Sequence, residues 1–313
     1  MTTEAIDAWQ WVEDYDSPSC FSFERQDQHQ HQDELIWSGS GDESCVYPAV
    51  GKAFETCANL RKLSFVWGPK GRTWATVRGA GSEDGVLADH VVFEEWKVCK
   101  LPGYLDWVPA SIIPCAGTTA WAALKGVGIG QGVLIQGTGG VSMFALKLAQ
   151  SAGMKVVLTS SSDAKLERIS QQFASPSLVT VNHARNPEWH EEVLRLTDGI
   201  GVDLVVEVGG SSSLVKSMKC TRRGGIVSVV GYLSKQDSGQ LAELLPVVID
   251  RRVVVRGINA GSKLDMDDLC AALSATQIQF DDIIDSIKPF EEADEAIEYV
   301  WQGKQVGKVV LRL

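Results

Sequence analysis

The hydrophobic pattern of this chain sharpens along its length. Residues 1–45 carry neither a helical nor a strand period, and Gln26-Asp27-Gln28-His29-Gln30-His31-Gln32-Asp33-Glu34 is polar throughout, so the segment reads as irregular. After Gly85, the β-branched and apolar run Val86-Leu87-Ala88-Asp89-His90-Val91-Val92-Phe93 predicts a strand of a β-rich lobe. Thr118-Thr119-Ala120-Trp121-Ala122-Ala123-Leu124 then predicts a helix of good formers opened by a threonine cap and ended by the turn Gly126 to Gly130.

Beyond Gln131 strand and helix patterns alternate. Strands are predicted at Val133–Gln136, Lys155–Thr159, Leu178–Val181, Asp203–Glu207, Gly225–Val230 and Arg252–Gly257. Helices are predicted at Phe144–Ala149, Asp163–Gln172, Glu188–Leu196, Ser213–Lys219, Gly239–Ile249 and Asp265–Ala275. Six strands joined by right-handed crossovers make an α/β fold, a doubly wound parallel Rossmann sheet over residues 109–280. A helix Glu291–Trp301 follows, with Glu291 and Glu292 at the positive end of its dipole, and then a last strand Lys308–Leu313. A final strand of this kind returns to the first lobe, so residues 1–108 and 281–313 are assigned to a second, β-rich lobe.

Composition narrows the partners. A formal charge of −11 argues against nucleic acid, because phosphate binding needs a basic face. No apolar run approaches the ~20 residues that span a bilayer, and Met1-Thr2-Thr3-Glu4 lacks the basic and apolar regions of a secretory leader, so a cytoplasmic location away from membranes is expected. Seven scattered cysteines with no CxxC pair read as reduced thiols. His29 and His31 sit among solvated amides with no cysteine at ligand spacing, so no metal is assigned to them.

The chemistry concentrates at Gly137-Thr138-Gly139-Gly140-Val141-Ser142, which lies between a strand and a helix, the context that makes a glycine string a dinucleotide fingerprint. Gly137 permits the tight turn, Gly139 lets the backbone approach a pyrophosphate, and the helix beyond offers free N–H groups and a positive dipole. A Rossmann sheet that has lost its ligand would keep the same turn. An acid at the end of the second strand would bond the adenosine ribose; here that strand ends in Thr159-Ser160-Ser161-Ser162-Asp163-Ala164-Lys165. The hydroxyls and Lys165 suit a 2′-phosphate better, with Asp163 expected to cap the helix, so NADP(H) is preferred over NAD(H).

Pro114-Cys115-Ala116-Gly117-Thr118-Thr119-Ala120-Trp121, the run Val133 to Ala149 and the run Ser160 to Arg168 together resemble the medium-chain dehydrogenase/reductase superfamily, most of all its zinc-free, quinone-oxidoreductase-like branch. Gly201 to Gly210, Gly224 to Ser228, Arg256 to Ser262 and Gly307 to Val310 are similar to family positions in the right order, and the likeness runs from Gly79 to Leu313. The resemblance implies that Thr118, Gly137 to Ser142, Ser160, Ser161, Lys165, Asn182, Val208, Gly209, Gly231, Tyr232, Leu233, Asn259, Ala260 and Gly261 line the cofactor. His183 stands where a tyrosine is common, and Tyr232 reads equally as an aromatic packed at a turn. Cys115 resembles in position a zinc-ligating cysteine of the superfamily's alcohol dehydrogenases. No Gly-His-Glu motif and no closely spaced run of four cysteines accompany it, so it reads as a buried thiol and no metal is expected.

The resemblance fails before Gly79, where the superfamily's GroES-like barrel would begin; the alternation expected of its strands is missing from Trp9 to Cys57, so this lobe is rebuilt or partial. Tyr47, His90 and Tyr104 can give a proton chemically, but each reads as structural and no catalytic residue is assigned. The leading expectation is an NADPH-dependent, zinc-independent oxidoreductase that reduces a carbonyl or activated C=C bond of a small-molecule substrate. One alternative is a non-redox cyclase, isomerase or binding protein on the same fold; another is an inactive remnant, or a first 78 residues read from an intron or a shifted frame. Arg252-Val253-Val254-Val255-Arg256 resembles an edge strand through which relatives pair, which implies a homodimer.

Overall fold

The computed structural model describes residues 20–21, 93–94, 98–234 and 237–312. The expectations for residues 1–45, for the strand before Phe93, for the GroES-like barrel and for Tyr47 and His90 lie outside or almost wholly outside these residues. Two short antiparallel strands, β1 (Cys20–Phe21) and β2 (Phe93–Glu94), come first.

Helix α1 (Trp107–Ser111) runs into a wide π-helical turn at Ile113–Gly117 and on into α2 (Thr118–Leu124). Thr118 therefore does not cap a helix start as expected, because the chain is already helical before it; its hydroxyl donates to the Ile113 carbonyl at 3.1 Å. The turn brings Gly117 so close to Phe144 that a Cβ there would lie 2.8 Å from the ring. Phe144 in turn stacks on Phe280, centroids 4.3 Å apart.

The remainder is a six-stranded parallel sheet built from β3 (Gly132–Gln136), β4 (Lys155–Ser160), β5 (Leu178–Asn182), β6 (Val202–Glu207), β7 (Thr221–Val229) and β8 (Val254–Gly257), in the order β5-β4-β3-β6-β7-β8. This is the doubly wound order, with its reversal between β3 and β6. Between the strands run α3 (Gly140–Ser151), α4 (Asp163–Gln172), α5 (Trp189–Leu196), α6 (Leu214–Lys219) and α7 (Leu244–Arg251), and α8 (Lys263–Thr276) follows β8. The apolar strand runs divide between two layers by the period of the pleat. Val133, Ile135, Val156, Leu158, Leu204 and Val206 join one core, while Leu134, Val157 and Val205 join the other. Val133, Leu134 and Ile135 are wholly buried, at roughly 1.5–3 kcal/mol each relative to exposure, which is why the central strands are unambiguous.

The helix expected at Gly239–Ile249 is divided. Asp237 accepts a hydrogen bond from the Gly239 N–H at 2.9 Å and starts a short 3₁₀ turn at Ser238–Leu241, after which α7 begins afresh at Leu244. Residues 281–312 form a parallel pair, β9 (Ile284–Pro289) with β10 (Lys308–Arg312), bridged by α9 (Ala293–Trp301) over a small core of Ala296, Val309 and Leu311. The 3₁₀ turn Phe290–Glu292 holds the two acids expected at that helix start. Among the described residues no helix is long and apolar enough to cross a membrane.

Candidate cofactor site

All six strands are parallel, so their carboxyl ends share one edge, and the loops there carry nearly every residue proposed to line a ligand. The glycine loop sits at the switch point. Gly137 adopts φ +78°, a left-handed conformation that suits glycine, while Gly139 is extended as the N-cap of α3 with open space where a Cβ would stand. Ser142, in place of the third glycine of the fingerprint, is buried and donates to the Gln136 carbonyl at 2.7 Å, tying the first helical turn back to β3. No cap side chain closes the start of α3, so its N–H groups face the loop opening.

A second segment closes on this loop. Gly307 donates its N–H to the Thr138 carbonyl at 2.9 Å and pairs in parallel with Gly139. Its φ of +90° and the Ile283 carbonyl 2.1 Å from any added Cβ leave room for glycine alone. The next residue, Lys308, is 7 % exposed, and its aliphatic stem crosses directly over Gly140, where a Cβ would meet Lys308 Cδ at 2.2 Å. Its ammonium makes no hydrogen bond or ion pair among the described residues. A cation on a buried stem beside a helix N-terminus is suited to an anion. Lys308 is not among the residues the sequence assigns to the site, although Gly307-Lys308-Val309-Val310 belongs to the family resemblance.

The loop after β6 is organised by a buried carboxylate. Glu207 Oε1 accepts from the N–H groups of Gly209 (2.8 Å) and Gly210 (3.1 Å) and from Ser213 Oγ (2.5 Å). Its Oε2 accepts from Gln136 Nε2 at 2.7 Å and from the Ser217 hydroxyl. Gln136 Oε1 in turn takes the Val208 N–H at 3.1 Å. Val208 and Gly209 are thereby held rigidly beside the switch point. The apolar strand Val202-Asp203-Leu204-Val205-Val206 gave no sign that the glutamate ending it would be fully enclosed.

At the end of β4, Ser160 is buried and Ser161 exposed. Ser162, not Asp163, caps α4, its Oγ accepting from the Lys165 N–H at 3.4 Å. The Asp163 carboxylate instead accepts from Asn182 Nδ2 at 2.7 Å and pairs with Arg185, because Asn182 and the turn after β5 lie alongside. The Lys165 ammonium donates to the carbonyls of Gly303 (2.6 Å) and Gln305 (2.8 Å), and its pKa is lowered by burial. His183, beside Asn182, is likewise lowered by burial.

The remaining predicted residues occupy the same edge of the sheet. Thr118 is buried against Gly261, where a Cβ would lie 2.6 Å from its methyl group. Gly231 follows β7, with Tyr232 and Leu233 exposed beyond it, and Asn259 and Ala260 follow β8. Tyr104 is not poised to transfer a proton: its hydroxyl donates to the Ile278 carbonyl at 2.5 Å, and burial pushes its pKa up to about 12.

Residues 140–306 match the family of zinc-binding dehydrogenases. A zinc-type alcohol dehydrogenase-like protein of Schizosaccharomyces pombe is 35% identical over 239 residues, which cover 74% of this chain and 68% of that protein. The chain belongs to the zinc-type alcohol dehydrogenase-like family of medium-chain dehydrogenases/reductases. Membership carries a general oxidoreductase role, and the fold of this family binds a nicotinamide cofactor. A structure described as an alcohol dehydrogenase from Sinorhizobium meliloti 1021 is 33% identical, with a TM-score of 0.67 over 82% of this chain and 74% of that one. An NAD-dependent alcohol dehydrogenase is 26% identical, with a TM-score of 0.66 over 78% of this chain and 69% of that one.

The family name raises the question of zinc. Cys115 is half-buried and belongs to no group of three or more potential metal ligands among the described residues. The one grouping of ligand atoms there is Glu188, His190 and Glu191 at the start of α5, where Lys216 already lies 3.0 Å from Glu188 Oε1.

Proposed function

We propose that this dehydrogenase-family protein is an NADPH-dependent, zinc-independent oxidoreductase that reduces a carbonyl or an activated C=C bond of a small molecule. The observation that carries the reading is the convergence at one sheet edge of the open start of α3, the buried Lys308 stem over Gly140 and a serine-rich tip of β4. These groups suit an anionic dinucleotide at both its pyrophosphate and its ribose end. When bound, the nicotinamide would supply a hydride. The chain's own residues do the holding: the Gly137–Ser142 loop and Lys308 take the pyrophosphate, and the Gln136 and Glu207 network fixes the backbone of Val208 and Gly209. Thr118, Gly231 to Leu233 and Asn259 to Gly261 border the reacting end.

The relatives do not decide between NAD and NADP, so that preference rests on the tip of β4. A cytoplasmic location suits the unpaired Cys99, Cys115, Cys220 and Cys270. Pairing into a homodimer through β8 suits an edge strand on which Val254 is 53% and Val255 41% exposed.

The test is incubation of the full chain with NADPH and a panel of quinones, enones and aldehydes, following absorbance at the nicotinamide band. Loss of absorbance that depends on substrate is expected. Saturable NADPH binding with no turnover on any of these would move the protein to the non-redox alternative.

A further inference from the structure

Residues 302–307 join α9 to β10 without regular structure, yet they bring Gly307 onto Thr138 and the Lys308 stem over Gly140. Their backbone groups must find partners outside any helix or ladder. Two charged side chains supply them. From α4, the Lys165 ammonium donates to the carbonyls of Gly303 and Gln305, at 2.6 and 2.8 Å. From β9, Asp285 Oδ1 accepts the Val306 N–H at 2.9 Å. The Asp285 side chain is 7% exposed, and Arg168, also on α4, holds its guanidinium 3.7 Å from the same oxygen, so the carboxylate is tied to α4 as well as to the turn. Hydrogen bonds with an ionised partner are about twice as strong as neutral ones, which makes these three a firm hold on a short stretch of backbone. The sequence suggests Lys165 as a reader of the 2′-phosphate, whereas its ammonium is engaged by two carbonyls of this turn.

We propose that Lys165 and Asp285 are positioning residues for the cofactor: they clamp the turn 303–306 through its backbone, and so place Gly307 and Lys308 against the glycine loop before a dinucleotide arrives. The clamp acts through Lys308 and not on the ligand itself, so its contribution is common to NADPH and NADH. A turn left loose would have to be ordered on binding, which lowers affinity. The two arms come from elements on either side of the turn, and Asp285 lies far from the glycine loop in sequence, in a strand whose polar residues hide its pattern.

This inference rests on the nicotinamide reading above, and the experiment separates the two. Binding of NADPH and NADH is measured by calorimetry on the full chain, as wild type and as Lys165→Met, Asp285→Ala, Asp285→Asn, Lys308→Met and the double variant Asp285→Ala with Lys308→Met, each shown folded by circular dichroism. Lys165→Met and Asp285→Ala are each expected to weaken both nucleotides alike, by about three- to ten-fold, as loss of a backbone hydrogen bond passed on to the site should. Asp285→Asn keeps an oxygen for the Val306 N–H and should stay within about two-fold of wild type. In the Lys308→Met background Asp285→Ala should cost less than about two-fold, because the ammonium it positions is already gone; a general loosening of the fold would not couple in this way. Should Asp285→Ala fail to fold, the same cycle is run with Lys165→Met. Full additivity with Lys308→Met, unchanged affinity in the folded single variants, or a Lys165→Met loss confined to NADPH would overturn the clamp while leaving the nicotinamide site intact. A wild type that binds neither nucleotide would overturn both.

Discussion

Replacing Glu207 should show how much of the site depends on one buried carboxylate. The side chain is fully enclosed, and its two oxygens accept from Gly209, Gly210, Ser213, Gln136 and Ser217. In Glu207→Gln, Oε1 keeps the two backbone N–H groups, but an amide NH₂ replaces Oε2 and meets Gln136 Nε2, donor against donor. Gln136 cannot turn over to relieve this without surrendering the Val208 N–H, whereas the Ser217 hydroxyl can rotate to accept. One frustrated buried donor costs about 1–3 kcal/mol. Glu207→Ala also strips the Gly210 N–H of its partner and opens a cavity, so its cost should reach about 3–5 kcal/mol, a large part of a total stability of roughly 5–15 kcal/mol. Urea unfolding followed by tryptophan fluorescence measures both. NADPH affinity should fall in Glu207→Ala even at temperatures where it is fully folded, because the Gly209 and Gly210 N–H groups lose the carboxylate that fixes them, and should change little in Glu207→Gln, which keeps both. A Glu207→Ala protein within about 0.5 kcal/mol of wild type, with unchanged affinity, would refute the argument.

Other expectations follow from single contacts. Gly307→Ala places a methyl group against the Ile283 carbonyl at a left-handed φ, and should break the pairing with Gly139 and abolish nucleotide binding; calorimetry on the folded variant checks this. The Asp203 carboxylate is opposed by burial, but Arg222 and the N–H groups of Gly132 and Gln131 prevail and lower its pKa. A lowered carboxylate adds stability above its ordinary titration near pH ~4 and loses it as pH falls through the lower folded value. The stability gap between wild type and Asp203→Asn should therefore close on acidification below that range in urea melts taken across pH. Val255→Lys puts a charge on the exposed edge of β8 and should leave monomers in sedimentation experiments if the wild type pairs there; a wild type already monomeric would remove that proposal.

The Rossmann sheet was legible because its central strands are buried on both faces and read as continuous apolar runs, and α4 matched its expected bounds, Asp163–Gln172, because serine and aspartate mark its start. Strand β9 was not assigned: Asp285, Ser286, Lys288 and Pro289 interrupt its pattern, and its partner β10 lies on the far side of a helix. The π-helical turn before Thr118 was equally hidden, since a proline usually opens a helix rather than widening one. In the site, glycines betrayed their roles through spacing. Charged residues did not, because whether Glu207 and Lys308 are buried, and whether Asp163 faces its own helix or Arg185, depends on neighbours distant in sequence.

The central claim is a phosphate-reading dinucleotide site, and equilibrium titration of the wild-type chain with NADPH and with NADH, followed by nicotinamide fluorescence, tests it most directly. Saturable binding of one nucleotide per chain, tighter for NADPH and weakening with salt more steeply than for NADH, is the predicted result. Tighter binding of NADH, or no binding of either, would contradict it.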